Sequence, residues 1–174
     1  MSKIRFTEPN REILARRDSI INDLTRLVDP AGLITSTDEC RAYETDALTA
    51  YRKMPLAVVL PKTTEEVSAV LKYCHDTGVK VVPRGAGTSL AGGAIPSEDA
   101  VVLGLSKMNR VLAVNYDDRF IRVEAGVTNL SVTAVVAENG FFYAPDPSSQ
   151  LACTIGGNIA NNSGGAHCLK YGVT

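Results

Sequence analysis

The 174-residue chain has no tryptophan, two histidines and four cysteines, and aromatic residues make up 6% of it. Each scarcity narrows what the protein can be. Cys40, Cys74, Cys153 and Cys168 form no C-x-x-C pair, and their spacing fits no common zinc pattern. His75 and His167 are too few to complete a metal set, so no metal site is expected. Long apolar runs are missing as well. Leu56–Leu60 is representative, whereas a spanning helix needs about 20 residues. No basic excess exists: Lys+Arg is 18 against Asp+Glu 19, for a net charge of −1. That argues against a duplex nucleic-acid partner. Residues Met1–Asn10 contain no apolar core of a secretory signal, and Glu8, Glu12 and Asp18 argue against a transit peptide. The expectation is a reducing, cytoplasmic setting with free thiols. Glycine is almost absent from the first 77 residues, and 13 of the 14 lie at or after Gly78.

What is present is ordinary globular material. The chain is 45% hydrophobic and 21% charged, which suits one domain with a real core and excludes intrinsic disorder. Residues 8–28 read as a helix, with Ile20, Ile21, Leu24, Leu27 and Val28 on one face and Asp29-Pro30 as the stop. A short helix is expected near Asp38–Ala50. Leu56–Leu60, closed by Pro61, has the unbroken apolar pattern of a buried parallel strand. Thr63 and Glu66 make a capping box. Val67, Val70, Leu71 and Cys74 give the following helix one apolar face, and Gly78 is placed to end it. Val79–Val82 is the next strand, completing a βαβ unit, and Val101–Leu103 reads as a third.

The pattern changes after Asn109. Val111–Tyr116 and Phe120–Ala125 flank Asp117-Asp118 as an antiparallel hairpin. Thr128 is a candidate cap for a helix to about Glu138, with Leu130, Ala134 and Val135 inward. Gly140 ends it, and Phe141–Tyr143 is expected to be a strand. This gives an α+β chain in three parts: an N-terminal helical segment (1–50), a small parallel βαβ sheet with helices (51–106), and an antiparallel sheet with helices (107–174).

Two segments carry chemistry. Pro83-Arg84-Gly85-Ala86-Gly87-Thr88-Ser89-Leu90-Ala91-Gly92-Gly93 directly follows a strand. Its glycines allow positive φ and a nest of N–H groups that suits a phosphate. Thr88 and Ser89 add hydroxyls, and Arg84 adds charge. Leu90 stands where a dinucleotide fingerprint needs its third glycine, and no lysine makes a Walker A loop. By itself the segment reads equally as a turn. The second segment, Pro147–Leu169, contains no Asp, Glu, Lys or Arg. It is dense in Gly, Asn, Ser and Thr, yet Leu151, Ile155, Ile159 and Ala160 interleave with them, unlike a solvated linker. A phosphate nest and an uncharged wall suggest one large ligand with a phosphate part and a ring part.

The runs P-R-G-A-G-T-S-L-A-G-G, P-D-P-S-S, T-I-G-G-N-I-A-N-N-S-G-G and L-K-Y-G-V-T, in that order, resemble the FAD-linked oxidases of the vanillyl-alcohol-oxidase type. The likeness runs from about Tyr51 to Thr174. Within the family it is nearest to the FAD-binding part of the bacterial glycolate oxidase D subunits, with D-lactate and D-2-hydroxyglutarate dehydrogenases close by. The resemblance implies a two-subdomain fold with FAD between the halves. It implies that Pro83, Arg84, Gly85, Ala86, Gly87, Thr88 and Ser89 hold the pyrophosphate. Pro145, Asp146, Ser148, Ser149 and Thr154 would pass along the flavin. Gly156, Gly157, Asn158, Asn161, Asn162, Ser163 and Gly164 would complete the wall. With no histidine in the 83–93 loop, non-covalent FAD is expected.

The implied reaction is oxidation of a small 2-hydroxy acid, of the glycolate or D-lactate type, to the 2-oxo acid, with hydride passing to flavin. The resemblance also implies further oxidoreductase subunits that hold the protein at the inner membrane. No catalytic residue is identified. His75 and Arg52 read as surface groups, and His167 is the better candidate for a group beside the site. The family's base and substrate ligands come largely from a later domain, so the chain reads as truncated, with an incomplete second half. The alternative is a non-catalytic FAD- or nucleotide-binding or assembly module of a multi-subunit oxidoreductase.

Overall fold

A computed structural model describes residues 6–174. It is an α+β fold with a mixed four-stranded sheet and a separate two-stranded antiparallel sheet. The first helices are α1 (Arg11–Ala15) and α2 (Arg17–Leu24). The single helix expected over 8–28 is therefore broken at Arg16, where the N–H bonds back to Ile13 O at 3.1 Å in a tight turn. The break lets Ile13 reach the same core as Ile20 and Leu24. Next come β1 (Leu33–Ile34) and α3 (Thr37–Cys40), the latter continued by a 3-10 turn over Arg41–Tyr43. The helix expected to reach Ala50 thus ends early. Irregular chain from Glu44 follows it, held by side-chain-to-backbone bonds such as Thr45 Oγ1 to Tyr51 O at 2.9 Å.

The central unit follows its sequence pattern closely. It consists of β2 (Ala57–Val59), α4 (Thr64–Thr77), β3 (Lys80–Arg84) and β4 (Ala100–Gly104). Thr63 caps α4 by accepting from Glu66 N at 3.2 Å. Glu66 in turn accepts from Lys62 N at 2.6 Å, one residue before the cap, and so ties the entering chain to the first turn. Gly78 closes α4 at φ 73°, where a β-carbon is disfavoured. In the sheet, β2, β4 and β3 run parallel in that order, and β1 joins β2 antiparallel. The expected parallel βαβ sheet is present as β2, β4 and β3, and β1, from the N-terminal segment, adds an antiparallel edge to it.

Strand alternation divides the core into two faces. Ala57, Val59, Val101 and Leu103 pack against α1, α2 and α4. Val58 and Val102 face the other way, against Cys40, Leu60, Tyr43 and Met54. Asp99 fastens the N-terminal segment here. It accepts from Asn10 N at 2.9 Å and from Lys80 Nζ at 2.8 Å. Burial pushes its carboxyl up, but hydrogen bonds from Lys80, Ser97 and Asn10 outweigh this and bring it down to about 2.

The remaining elements are β5 (Val111–Asn115) and β6 (Phe120–Val123), then α5 (Asn129–Val136), α6 (Ile155–Asn161) and α7 (Cys168–Tyr171). The base of the β5–β6 hairpin is tied by Glu124, which accepts from Arg110 Nε at 2.9 Å and Nη2 at 2.6 Å. Thr128 caps α5 as expected, accepting from Ser131 N at 3.3 Å. The buried face of α5 is Asn129, Val132 and Val136, not Leu130, Ala134 and Val135. The helix is apolar nearly all round, so periodicity cannot choose a side. Phe141–Tyr143 joins no sheet. Its backbone donors go to α5 instead, with Phe141 N to Val136 O at 3.3 Å and Tyr143 N to Thr133 Oγ1 at 3.1 Å. Among the described residues no helix is long and apolar enough to cross a membrane, and all four cysteines are free.

Candidate functional site

The two glycine-rich segments meet. A cavity of about 540 Å³ opens beyond the C-terminal ends of β3 and β4, the usual place for ligands in parallel sheets. All of Pro83, Arg84, Gly85, Ala86, Gly87, Thr88 and Ser89 line it. From the second segment, Ser149, Thr154, Gly156, Gly157, Asn158, Asn161 and Ser163 line it as well. Arg84 is the one charged residue among them.

The first segment is shaped as a donor nest. Gly87 has φ 71°, and the backbone N–H groups of Ala86, Gly87, Thr88 and Ser89 donate to no protein acceptor among the described residues. Backbone donors without protein partners, gathered in one tight turn, favour an anion. The loop also lies close against the second segment. A β-carbon on Gly85 would stand 2.6 Å from Thr154 Oγ1, so glycine is what permits the approach. Thr154 caps α6, accepting from Gly157 N at 3.2 Å.

Arg84 lines the cavity and is also tied to the segment before β2. Its Nη1 donates to Thr45 O at 2.7 Å, and its guanidinium lies over the Tyr43 ring at 5.5 Å. Burial pushes it below its ordinary value, while Asp46 and Tyr43 act in the opposite sense.

The wall is fixed by backbone and amide bonds. Residues 153–156 run beside 125–129: Asn129 N donates to Cys153 O at 3.1 Å, Ile155 N to Val127 O at 2.9 Å and Gly156 N to Ala125 O at 2.9 Å. Asn158 is 1% exposed, and its Nδ2 donates to Asn129 Oδ1 at 3.4 Å. Asn129 Nδ2 continues the chain to Pro145 O at 2.9 Å.

Five expected residues stand off this cavity: Pro145, Asp146, Ser148, Asn162 and Gly164. Pro145 anchors Asn129. Asp146 bonds His167, accepting from its backbone N at 3.2 Å and meeting Nδ1 at 2.5 Å, which holds the carboxyl below the usual range. Asn162 ends α6 at φ 49°, and Gly164 packs against Cys168 and Val173. His167 is likewise outside the cavity, as are Arg52 and His75.

Several lining residues were not singled out from sequence: Ala94, Leu105, Ala125 and Cys153. Ala94 continues the glycine-rich loop. Leu105 and Ala125 lie just past the ends of β4 and β6, where strand ends meet a ligand site. A second cavity of about 320 Å³ shares Gly85, Ala86 and Thr154 with the first. No group of three or more metal-ligating side chains occurs among the described residues.

Residues 55–174 match the family described as FAD binding domain. The chain belongs to that family. It is 49% identical over 158 residues to glycolate oxidase subunit GlcD of Escherichia coli strain K12, covering 91% of this chain and 32% of that protein. It is 39% identical over 156 residues to a D-lactate dehydrogenase of Archaeoglobus fulgidus, covering 89% of this chain and 34% of that protein. The chain therefore spans about a third of the length of these relatives. Among solved structures, an alkyldihydroxyacetonephosphate synthase superposes with TM-score 0.82 at 22% identity, over 98% of this chain and 33% of that one. The chain thus shares its fold with part of that synthase.

Proposed function

We propose that this chain is the FAD-binding portion of a flavoprotein that oxidises a small 2-hydroxy acid, of the glycolate or D-lactate type, to its 2-oxo acid. The observation that carries the reading is the meeting of an unpaired N–H nest with an uncharged amide wall around one cavity. The donor chemistry fits FAD. Ala86–Ser89 offer backbone and hydroxyl donors to a pyrophosphate. Ser149, Thr154, Gly157, Asn158 and Asn161 offer a polar, uncharged surface to the ribityl and ring portions. The adjoining cavity around Gly85 and Thr154 gives an elongated ligand room to continue.

When bound, FAD supplies a two-electron acceptor. The residues of this chain bind it, orient it and exclude water from it. Asn158, held by Asn129, keeps the wall rigid. Gly85 and Gly156 let two backbones approach. The base for the hydroxyl proton and the groups that read the substrate carboxylate belong to the remainder of the longer protein. Residues 51–106 and 107–174 are the two halves between which FAD lies. Attachment is non-covalent, because no histidine stands in the 83–93 loop. Partner subunits of a glycolate-oxidase-type complex would hold the protein peripherally at the inner membrane.

The test is direct. The chain is incubated with FAD, freed of excess by gel filtration, and its absorbance spectrum recorded before and after acid precipitation. Retained flavin bands that acid releases into the supernatant are expected. A colourless protein contradicts the binding claim, and flavin that stays with the precipitate contradicts the non-covalent one.

A further inference from the structure

The Arg84 guanidinium lies beneath the phosphate loop, not across it. The loop and the segment 43–48 are joined at two points, Arg84 Nη1 to Thr45 O at 2.7 Å and Ala47 N to Gly87 O at 2.9 Å. A β-carbon on Gly87 would collide with the guanidinium itself, so Arg84 packs directly under the loop's tightest turn. Asp46 sits in the same segment and is 4% exposed. Its Oδ1 accepts from Leu48 N at 2.9 Å, whereas its Oδ2 has no partner among the described residues. A buried carboxylate oxygen left unpaired is costly unless a cation compensates it. Asp46 and Arg84 form no direct ion pair among the described residues, but Arg84 is bonded to the carbonyl of Thr45, the residue before Asp46, which brings the guanidinium to the segment that carries the buried carboxylate. The segment 43–48 lies outside the matched family region, which begins at residue 55.

We propose that Asp46 is the counter-charge that holds Arg84 under the loop, so that Arg84 positions the phosphate-binding backbone instead of contacting phosphate. Residues 43–48 are then part of the cofactor machinery. The anion is held by neutral donors alone, those of Ala86–Ser89. The inference rests on the FAD reading for its ligand, but not for its geometry.

Two measurements on the 174-residue chain test it. The first needs no ligand: amide hydrogen exchange in D46N and R84Q. Exchange at Ala47, whose N–H donates to Gly87 O at 2.9 Å, is expected to rise about tenfold in both, with α4 and β4 unchanged, as for local opening. Unchanged exchange at Ala47 in both variants overturns the proposal, whatever FAD does. The second is FAD affinity against salt. R84Q is expected to weaken FAD about tenfold, the effect of losing one charge-assisted bond, with the wild-type salt dependence retained. The double variant D46N/R84Q is expected to bind no more weakly than R84Q. A salt dependence that flattens in R84Q means that Arg84 meets the phosphate directly, and overturns the proposal. If the wild-type chain takes up no FAD, the flavin reading fails, while hydrogen exchange still decides the role of Asp46.

Discussion

The two halves of the molecule bury their apolar residues to different degrees. In the sheet of β1–β4, every residue of β2 and β4 is buried, and Val58, Val59, Val101 and Val102 are fully so. Beyond residue 107, Leu112, Phe120, Val135, Phe142, Leu151 and Ile159 are exposed. The same residue types thus close a core in one half and stand open in the other. Strands that are apolar on both faces demand partners on both faces, and α1, α2 and α4 supply one of them. In the second half, α5 and the hairpin bury one side each. Stability is accordingly expected to reside in the first half, and ligand contact to join the two.

The sharpest way to break this contrast is a pair of truncations. Leu24→Ala removes a side chain that is 0% exposed and is expected to cost about 2–5 kcal/mol. Ile159→Ala, at a position 65% exposed, is expected to stay within about 0.5 kcal/mol. Urea denaturation of both variants checks it, and equal losses would remove the contrast.

Acid comes next. The Asp99 carboxyl, at about 2, lies below its unfolded value of about 3.9. A group depressed in the folded state adds stability above its unfolded pKa and loses it as pH falls through the folded one. Stability is therefore expected to drop by about 2 kcal/mol at most between pH 4 and 2. Thermal melts over that range should show a smaller decline in Asp99→Asn.

Helix caps give a smaller effect and let the halves be compared on equal terms. Thr63→Ala removes the side-chain cap on Glu66 N and is expected to cost about 1 kcal/mol. Thr128→Ala should cost less, because Ser131 Oγ lies 2.6 Å from Thr128 Oγ1 and remains nearby. Smallest of all, Leu130→Ser on the open face of α5 should leave the melting temperature nearly unchanged. A large loss there would mean that Leu130 faces inward after all.

The same contrast explains what the residues revealed before folding was considered. The Thr63 cap and Gly78 as the stop of α4 are local signals and both are realised, while the apolar stripe holds for Val67, Val70 and Cys74 but not for Leu71, which is exposed. The break at Arg16 and the early end of α3 have no local signal, since no proline or glycine marks them. Strand β1 was hidden because two residues show no alternation, and its pairing with β2 is decided by contact. For the site, the glycine-rich loop and the Asn-rich wall were legible because bare backbone and uncharged donors leave a compositional mark. Leu105, Ala125 and Cys153 carry no such mark, because they line the cavity only through where β4, β6 and the capping turn end. The inward turn of Arg84 was also unreadable, as its partner Thr45 lies 39 residues away.

The central claim is that the loop at Gly87 makes this cavity a FAD site. The most direct measurement is FAD affinity by flavin fluorescence quenching in the wild-type chain and in Gly87→Val, with circular dichroism to confirm that both are folded. Gly87 has φ 71°, and a side chain there is strained and strikes Arg84. Saturable binding by the wild type and none by a folded Gly87→Val is the expected result. Equal quenching by both folded proteins would contradict the account.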